Sequence, residues 1–154
     1  MKELLITTFL IFALPLSSTR ADFATDAVKI GFIKNRGEFD GCGCSLWLAT
    51  DRKQRESRLV FVDDLGETAL MNIDGKDVKL PHLRHYERQA KLKVGDKSWW
   101  EYQKNDLKVR LDFVVTKVCP PKDESCEVTH YNAQLSVTRG AQKQILKTKG
   151  TCGC

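Results

Sequence analysis

The arrangement of the cysteines is the feature that most constrains this chain. Six cysteines occur as two Cys-Gly-Cys motifs and one pair flanking a turn-rich loop: Cys42, Cys44, Cys119, Cys126, Cys152 and Cys154. An even number of cysteines in a small exported domain is typical of a disulfide framework. Residues i and i+2 of a β-strand point to the same face, so each Cys-Gly-Cys motif can present two thiols side by side.

Both Cys-Gly-Cys motifs fall on segments with strand-like alternation. The less charged face of the first segment carries Cys42, Cys44, Leu46 and Leu48, and that of the last carries Leu146, Thr148, Gly150, Cys152 and Cys154. If these segments are neighbouring strands, two bridges join them on the inner face. An antiparallel pair predicts Cys42–Cys154 with Cys44–Cys152, and a parallel pair predicts Cys42–Cys152 with Cys44–Cys154. Each bridge alone would contribute up to ~5 kcal/mol through loop closure, although the two would not add.

Two other uses of the same four cysteines stay open. Four thiolates arriving as two pairs could bind Zn²⁺ or Cu(I). Alternatively, each Cys-Gly-Cys motif could be a redox pair, because its glycine would allow a small disulfide ring. Against both, the motif is tighter than the usual metal-binding spacing, and no helix N-terminus follows it to lower a thiol pKa. We expect structural disulfides, with no metal or other cofactor.

The remaining cysteine pair belongs to a predicted hairpin. Alternation over Leu107–Cys119 and again over Tyr131–Val137 predicts two half-buried antiparallel strands. A Cys119–Cys126 bridge would close this hairpin and contribute ~2.5 kcal/mol. The inward residues match when Phe113 pairs with Ala133, Leu111 with Leu135 and Val109 with Val137, which is one residue out of register with the bridge. We therefore predict a β-bulge near Thr129 or His130.

Short alternating segments recur along the rest of the chain. The further predicted strands are Val28–Ile33, Cys42–Ala49, Leu59–Val62, Ala69–Ile73, Lys76–Leu80, Ala90–Val94, Trp99–Tyr102 and Gln144–Thr151. Asp74-Gly75 is a two-residue hairpin signal that would place Met71 opposite Val78. Helix is confined to a turn or two within residues 82–90. The pattern predicts an all-β fold, a single small antiparallel β-sandwich or barrel stapled by disulfides.

The first residues are typical of a secretory signal peptide. Lys2 precedes an apolar run over Leu4–Leu16, and Thr19 and Ala21 occupy small-residue positions before a cleavage site. The run is too short to span a bilayer. We expect removal of residues 1–21, leaving residues 22–154 as one β-rich domain that is secreted or periplasmic and not stably inserted in a membrane. The net charge of +5 is dispersed, and we expect no nucleic-acid partner.

No motif for catalysis is present, so we expect no enzyme activity. The chain lacks the nucleophile elbow, the zinc-protease helix and the phosphate-binding loop. His82 and His85 would share one face of a helix and could join a metal site, but surface histidines are the simpler interpretation. Carboxylates such as Asp63-Asp64, Asp74 and Asp77 fall at predicted turns, where Asp is favoured for local reasons.

Three aromatic residues on one predicted strand indicate a binding surface. Trp99 and Trp100 must point to opposite faces of a strand, so at most one lies in the core. The other, together with Tyr102, could form a platform for a sugar ring or a protein partner. We expect a non-enzymatic exported domain that binds a protein or glycan, as an inhibitor or accessory protein would. The alternatives are the thiol-based metal or redox protein above and a structural envelope component.

Overall fold

Strand pairing in the computed structural model runs mostly between segments that follow each other in sequence. The structure describes residues 27–65, 67–86, 91–121, 123 and 125–154. Its strands are β1 Ile30–Gly31, β2 Gly43–Leu48, β3 Leu59–Asp63, β4 Thr68–Ile73, β5 Lys76–His85, β6 Lys97–Lys104, β7 Leu107–Lys117, β8 Val128–Arg139 and β9 Gln142–Gly153. Two single 3₁₀ turns, Gly37–Phe39 and Glu56–Arg58, are the helical elements of this described part. The predicted signal peptide lies outside the described residues.

Strands β2 to β9 close into an eight-stranded antiparallel barrel. Each strand pairs with the next along the chain, and β9 pairs with β2 to complete the circle. The short β1 adds to β4 beyond the end of β3, through Ile30 opposite Ile73. The all-β prediction is confirmed, and of the two architectures it allowed, the barrel is the one formed. Closure leaves the barrel strands no free edge for another chain to pair with.

The predicted hairpins form with the expected register. Asp74 and Gly75 both have positive φ, 51° and 80°, as a tight hairpin turn requires, and Met71 lies opposite Val78. On the β7–β8 hairpin, Phe113 pairs with Ala133. The alternating apolar residues of both hairpins therefore point into one shared core, the barrel interior.

Side chains fill the barrel and cover part of its outside. The interior is formed by inward residues of every barrel strand, with Phe61, Trp100, Tyr102, Phe113 and Tyr131 as its buried aromatic members. A second apolar cluster lies on the outer face of β2–β4, where residues of the segment before β2 pack against the wall: Ile33, Phe39, Trp47, Leu59, Val62 and Leu70. No helix in the described residues is long and apolar enough to cross a membrane.

Four local predictions need correction. Residues 82–85 continue β5 and are not helical, while 87–90 lie outside the described residues. Residues 91–94 form no strand, and Val28–Ile33 shrinks to the two residues of β1. The predicted bulge exists on the opposite strand: Val115 pairs with Tyr131 and Lys117 with His130, so the extra residue is Thr116 of β7. An extra residue on β7 shifts the register away from a Cys119–Cys126 strand pair, so the bridge forms in the loop beyond the last paired residues instead of within the ladder.

The barrel seam between β2 and β9 is joined by two disulfides. The pairs are Cys42–Cys154, here called the outer bridge, and Cys44–Cys152, the inner bridge, as the antiparallel alternative predicts. The inner bridge is buried in the core, whereas both cysteines of the outer bridge are exposed at the rim. The expectation that both pairs lie on the inner face therefore holds only for the inner bridge. The third disulfide joins Cys119 and Cys126.

Glycine separates the cysteines because neighbouring backbone passes directly over that position. A Cβ on Gly43 would lie 1.8 Å from the carbonyl oxygen of Asp63, and one on Gly153 would lie 2.1 Å from that of Glu127. Both glycines also have positive φ, 157° and 145°. The motif thus meets a packing requirement at the seam.

Candidate functional site

The three aromatic residues predicted to form a surface divide between the two sides of β6. Trp100 and Tyr102 point into the barrel, where Trp100 contacts the ring of Phe113 and Tyr102 that of Phe61. Trp99 points outward and is half-buried. The predicted binding surface therefore reduces to Trp99, because strand alternation buries both of its partners.

Trp99 borders a groove of about 800 Å³ on the outer wall of β6–β9. We call this the Trp99 groove. Its lining combines apolar with polar and charged residues, most of them outward-facing and some, such as Phe113 and Ala133, buried: Ala49, Tyr86, Lys97, Ser98, Trp99, Asp112, Phe113, Val114, Asn132, Ala133, Gln134, Lys147 and Thr148. Tyr86 is held beside the tryptophan by its backbone N–H, which donates to the carbonyl oxygen of Trp99 at 2.9 Å.

Strand register explains how such distant residues meet in the groove. Trp99 pairs with Asp112, Asp112 with Gln134, and Gln134 with Lys147, which makes one continuous row across four strands. A second row runs from Lys97 through Val114 to Asn132. All of these residues occupy outward positions, so their side chains share one surface. Sequence alternation indicated an outward position for Asp112, Asn132 and Gln134, but not which residues are neighbours.

Two guanidinium groups support the indole of Trp99. The Cζ of Arg110 lies 4.5 Å from the ring centroid and that of Arg84 lies 5.8 Å away. Neither arginine lines the Trp99 groove; both line a second, smaller groove on the adjoining part of the wall. The arginines therefore hold the indole from outside the groove, through cation–π contacts.

These arginines belong to a network of four charges. Arg110 donates to Asp112 through Nε and Nη2, at 3.0 and 2.7 Å from Oδ1, and through Nη1 to Glu101 at 2.8 Å. Arg84 also pairs with Glu101. The hydrogen bond from Arg84 lowers the pKa of the Glu101 carboxyl, and the bonds that Arg110 donates to Asp112 raise the pKa of Arg110. Glu101 and Arg110 therefore stay charged at neutral pH, and their ion pair holds Arg110 beside the indole.

A histidine pair lies at one end of the barrel. Residues three apart on a regular strand face opposite ways, but a bulge at Leu83 brings His82 and His85 to the same side. Their ring centroids are 5.1 Å apart, beside a pocket of about 400 Å³ that is also lined by the inner bridge. Burial, followed by the proximity of His85, lowers the pKa of His82. No group of three potential metal ligands occurs among the described residues.

A buried carboxylate near this end was missed by sequence reasoning. Asp63 is 2% exposed; its Oδ1 accepts the backbone N–H of Cys44 at 2.8 Å and its Oδ2 accepts the hydroxyl of Tyr102 at 3.0 Å. Burial raises the pKa of Asp63 to about 6, and burial together with Asp63 raises that of Tyr102. Assignment to a turn hid this role, although Asp63 continues the inward phase of Phe61.

The cysteines of both Cys-Gly-Cys motifs are oxidised in the structure. Each bridge joins one motif to the other, and neither motif forms a ring of its own. All six cysteines lie within the described residues and none is free. Metal binding or thiol chemistry at these positions would require breaking the seam. The three disulfides are compatible with an oxidising extracellular environment.

Comparison with known proteins finds no relative of this chain. No family model matches the chain, and no curated protein or solved structure shows significant similarity to it.

Proposed function

We propose that this chain is an exported, non-enzymatic binding domain that holds a saccharide chain in the Trp99 groove. The observation that carries the proposal is the indole of Trp99, supported by two guanidinium groups and bordering the groove. A platform fixed in advance lowers the ordering cost of binding. The predicted signal peptide and the three disulfides together support export.

The lining of the groove suits a sugar. An indole offers a flat apolar face to the C–H side of a sugar ring. The exposed amides of Asn132 and Gln134 lie on β8, where they can donate hydrogen bonds to, and accept them from, the hydroxyl groups of a sugar. A mostly apolar lining with a few placed polar groups is typical of small-ligand sites.

The same lining favours a saccharide over a protein partner. The centres of protein interfaces are depleted in charged residues. The Trp99 groove instead places Lys97, Asp112 and Lys147 along its length. These side chains would have to be desolvated under a protein, whereas a hydrated sugar chain can bind them through hydroxyl groups and water.

Binding of a panel of oligosaccharides to Trp99→Ala tests the proposal. We expect at least one oligosaccharide to bind the native protein and to lose about ten-fold in affinity in the variant, since an aromatic contact contributes about 0.5–1.5 kcal/mol beyond its buried area. Leu83→Ala is the matched control, because Leu83 is an apolar residue that lines the second groove and not the Trp99 groove. Calorimetry that shows no difference between the two variants would contradict the proposal.

A further inference from the structure

Two lysines border the Trp99 groove without an acidic partner. Lys97 extends from β6 and Lys147 from β9, and both are exposed. Within the residues that the structure describes, neither ammonium group lies in an ion pair. Three strand spacings separate β6 from β9, which places the backbone positions of the two lysines roughly 15 Å apart across the groove.

The carboxylate in the groove does not cancel this charge. Asp112 is bound by Arg110 through two of its nitrogens, so its negative charge is already neutralised. Among the described residues that line the groove, Lys97 and Lys147 therefore leave an excess of positive charge.

From this charge distribution we infer that the saccharide held in the Trp99 groove is acidic, with anionic groups that pair with Lys97 and Lys147. The inference rests on the proposed function, since it names the class of sugar for the same site. Two cations on opposite sides of the groove fit a chain that carries an acid group on more than one of its rings. Uronate carboxylates and sulfate esters share this chemistry.

Titration of three oligosaccharides into the full protein tests the inference. The probes are hexasaccharides of polygalacturonate, of sulfated dextran and of uncharged cellulose, measured by calorimetry at low ionic strength and again at about 0.5 M salt. Lys97→Gln/Lys147→Gln removes the two groove cations. Lys108→Gln/Lys143→Gln is the matched control, because it removes the same charge from exposed lysines of the second groove.

We expect an acidic hexasaccharide to bind more tightly than the uncharged one. The groove double variant should weaken that binding about five- to ten-fold, as expected for two exposed ion pairs, and the control double variant should change it by less than about two-fold. The difference should shrink in high salt, where such pairs are screened. Comparison of the two acidic probes then distinguishes carboxylate from sulfate.

The failures of the inference and of the proposed function give different results. Equal or tighter binding of the uncharged hexasaccharide, with loss in Trp99→Ala, would overturn the acidic class and leave the saccharide site standing. Equal weakening by both double variants would show attraction to overall charge and would also overturn it. Absence of binding by all three probes would remove the proposed function and, with it, this inference.

Discussion

The buried carboxylate of Asp63 should control how the stability of the barrel depends on pH. Its pKa rises from 3.8 to about 6 in the folded state, chiefly because burial disfavours the charged form. The folded protein therefore holds the proton more tightly than the unfolded chain. The stabilisation is fully present below pH 3.8 and is lost as the pH rises through about 6.

The size of this effect follows from the shift. A change of roughly two pKa units corresponds to about 3 kcal/mol, at about 1.4 kcal/mol for each unit. Conversion to a free energy is justified because Asp63 is almost completely inaccessible to solvent. Other carboxyls act in the opposite direction, since hydrogen bonds lower the pKa of Asp74 and Glu101. The contribution of Asp63 must therefore be measured as a difference.

Asp63→Asn isolates the contribution, because the amide is nearly isosteric and does not titrate. Urea unfolding between pH 3.5 and 7.5, with disulfides intact and followed by tryptophan fluorescence, gives the free energy of unfolding of both proteins. Between pH 3.5 and 7.5, we expect the free energy of unfolding of Asp63→Asn to rise by about 3 kcal/mol relative to that of the native protein.

A second variant tests the assignment of the shift to Asp63. The hydroxyl of Tyr102 donates to Asp63 and lowers its pKa against the larger effect of burial. Tyr102→Phe should therefore move the fall in stability to higher pH. A free-energy difference between Asp63→Asn and the native protein that is flat across the range, or that falls with pH, would refute the reasoning.

Two further predictions concern the seam between β2 and β9. Replacing both cysteines of the outer bridge by serine should lower the free energy of unfolding much less than the same change at the inner bridge, because the inner bridge is buried in the core and either bridge alone closes nearly the same loop. Removing both bridges should cost about 5 kcal/mol. Equal losses of stability for the two single removals, measured by urea unfolding, would contradict this prediction. Gly150→Ala should prevent normal closure, since its Cβ would lie 2.0 Å from the carbonyl oxygen of Ser45, whereas Gly41→Ala meets nothing within 4 Å and should be nearly neutral. Thermal unfolding of the two alanine variants checks this contrast, and similar melting temperatures would show that the seam can relax.

Much of the strand framework could be predicted because alternation is a local property. Leu107, Val109 and Leu111 reveal which side of β7 is buried without reference to any other strand. The Asp74-Gly75 turn then specifies the register of its own hairpin, since a two-residue loop leaves no freedom in the pairing. The same local logic failed at residues 82–85, where a bulge and pairing with β6 extend β5.

The candidate site could be predicted only in part. The sequence predicted that at most one of Trp99 and Trp100 lies in the core, because adjacent residues on a strand face opposite ways, but not which one. The groove could not be predicted, because its lining residues, such as Lys97 and Lys147, are separated by 50 positions in the sequence. The register of four strands brings them to the same surface. Asp63 was missed because its burial depends on Tyr102 reaching it across the barrel.

The sequence by itself determined the all-β class, the inward face of most strands and the pairing of cysteines at one seam, given antiparallel strands. These properties follow from the two-residue period of a strand, which places residues i and i+2 on one face. Only the tertiary structure decided that the sheet closes into a barrel and that, of Trp99, Trp100 and Tyr102, Trp99 lies on its outer wall. It also decided that the carboxylate of Asp63 is buried against Tyr102. Closure depends on β2 meeting β9 across the length of the chain, and local patterns carry no information on such a contact.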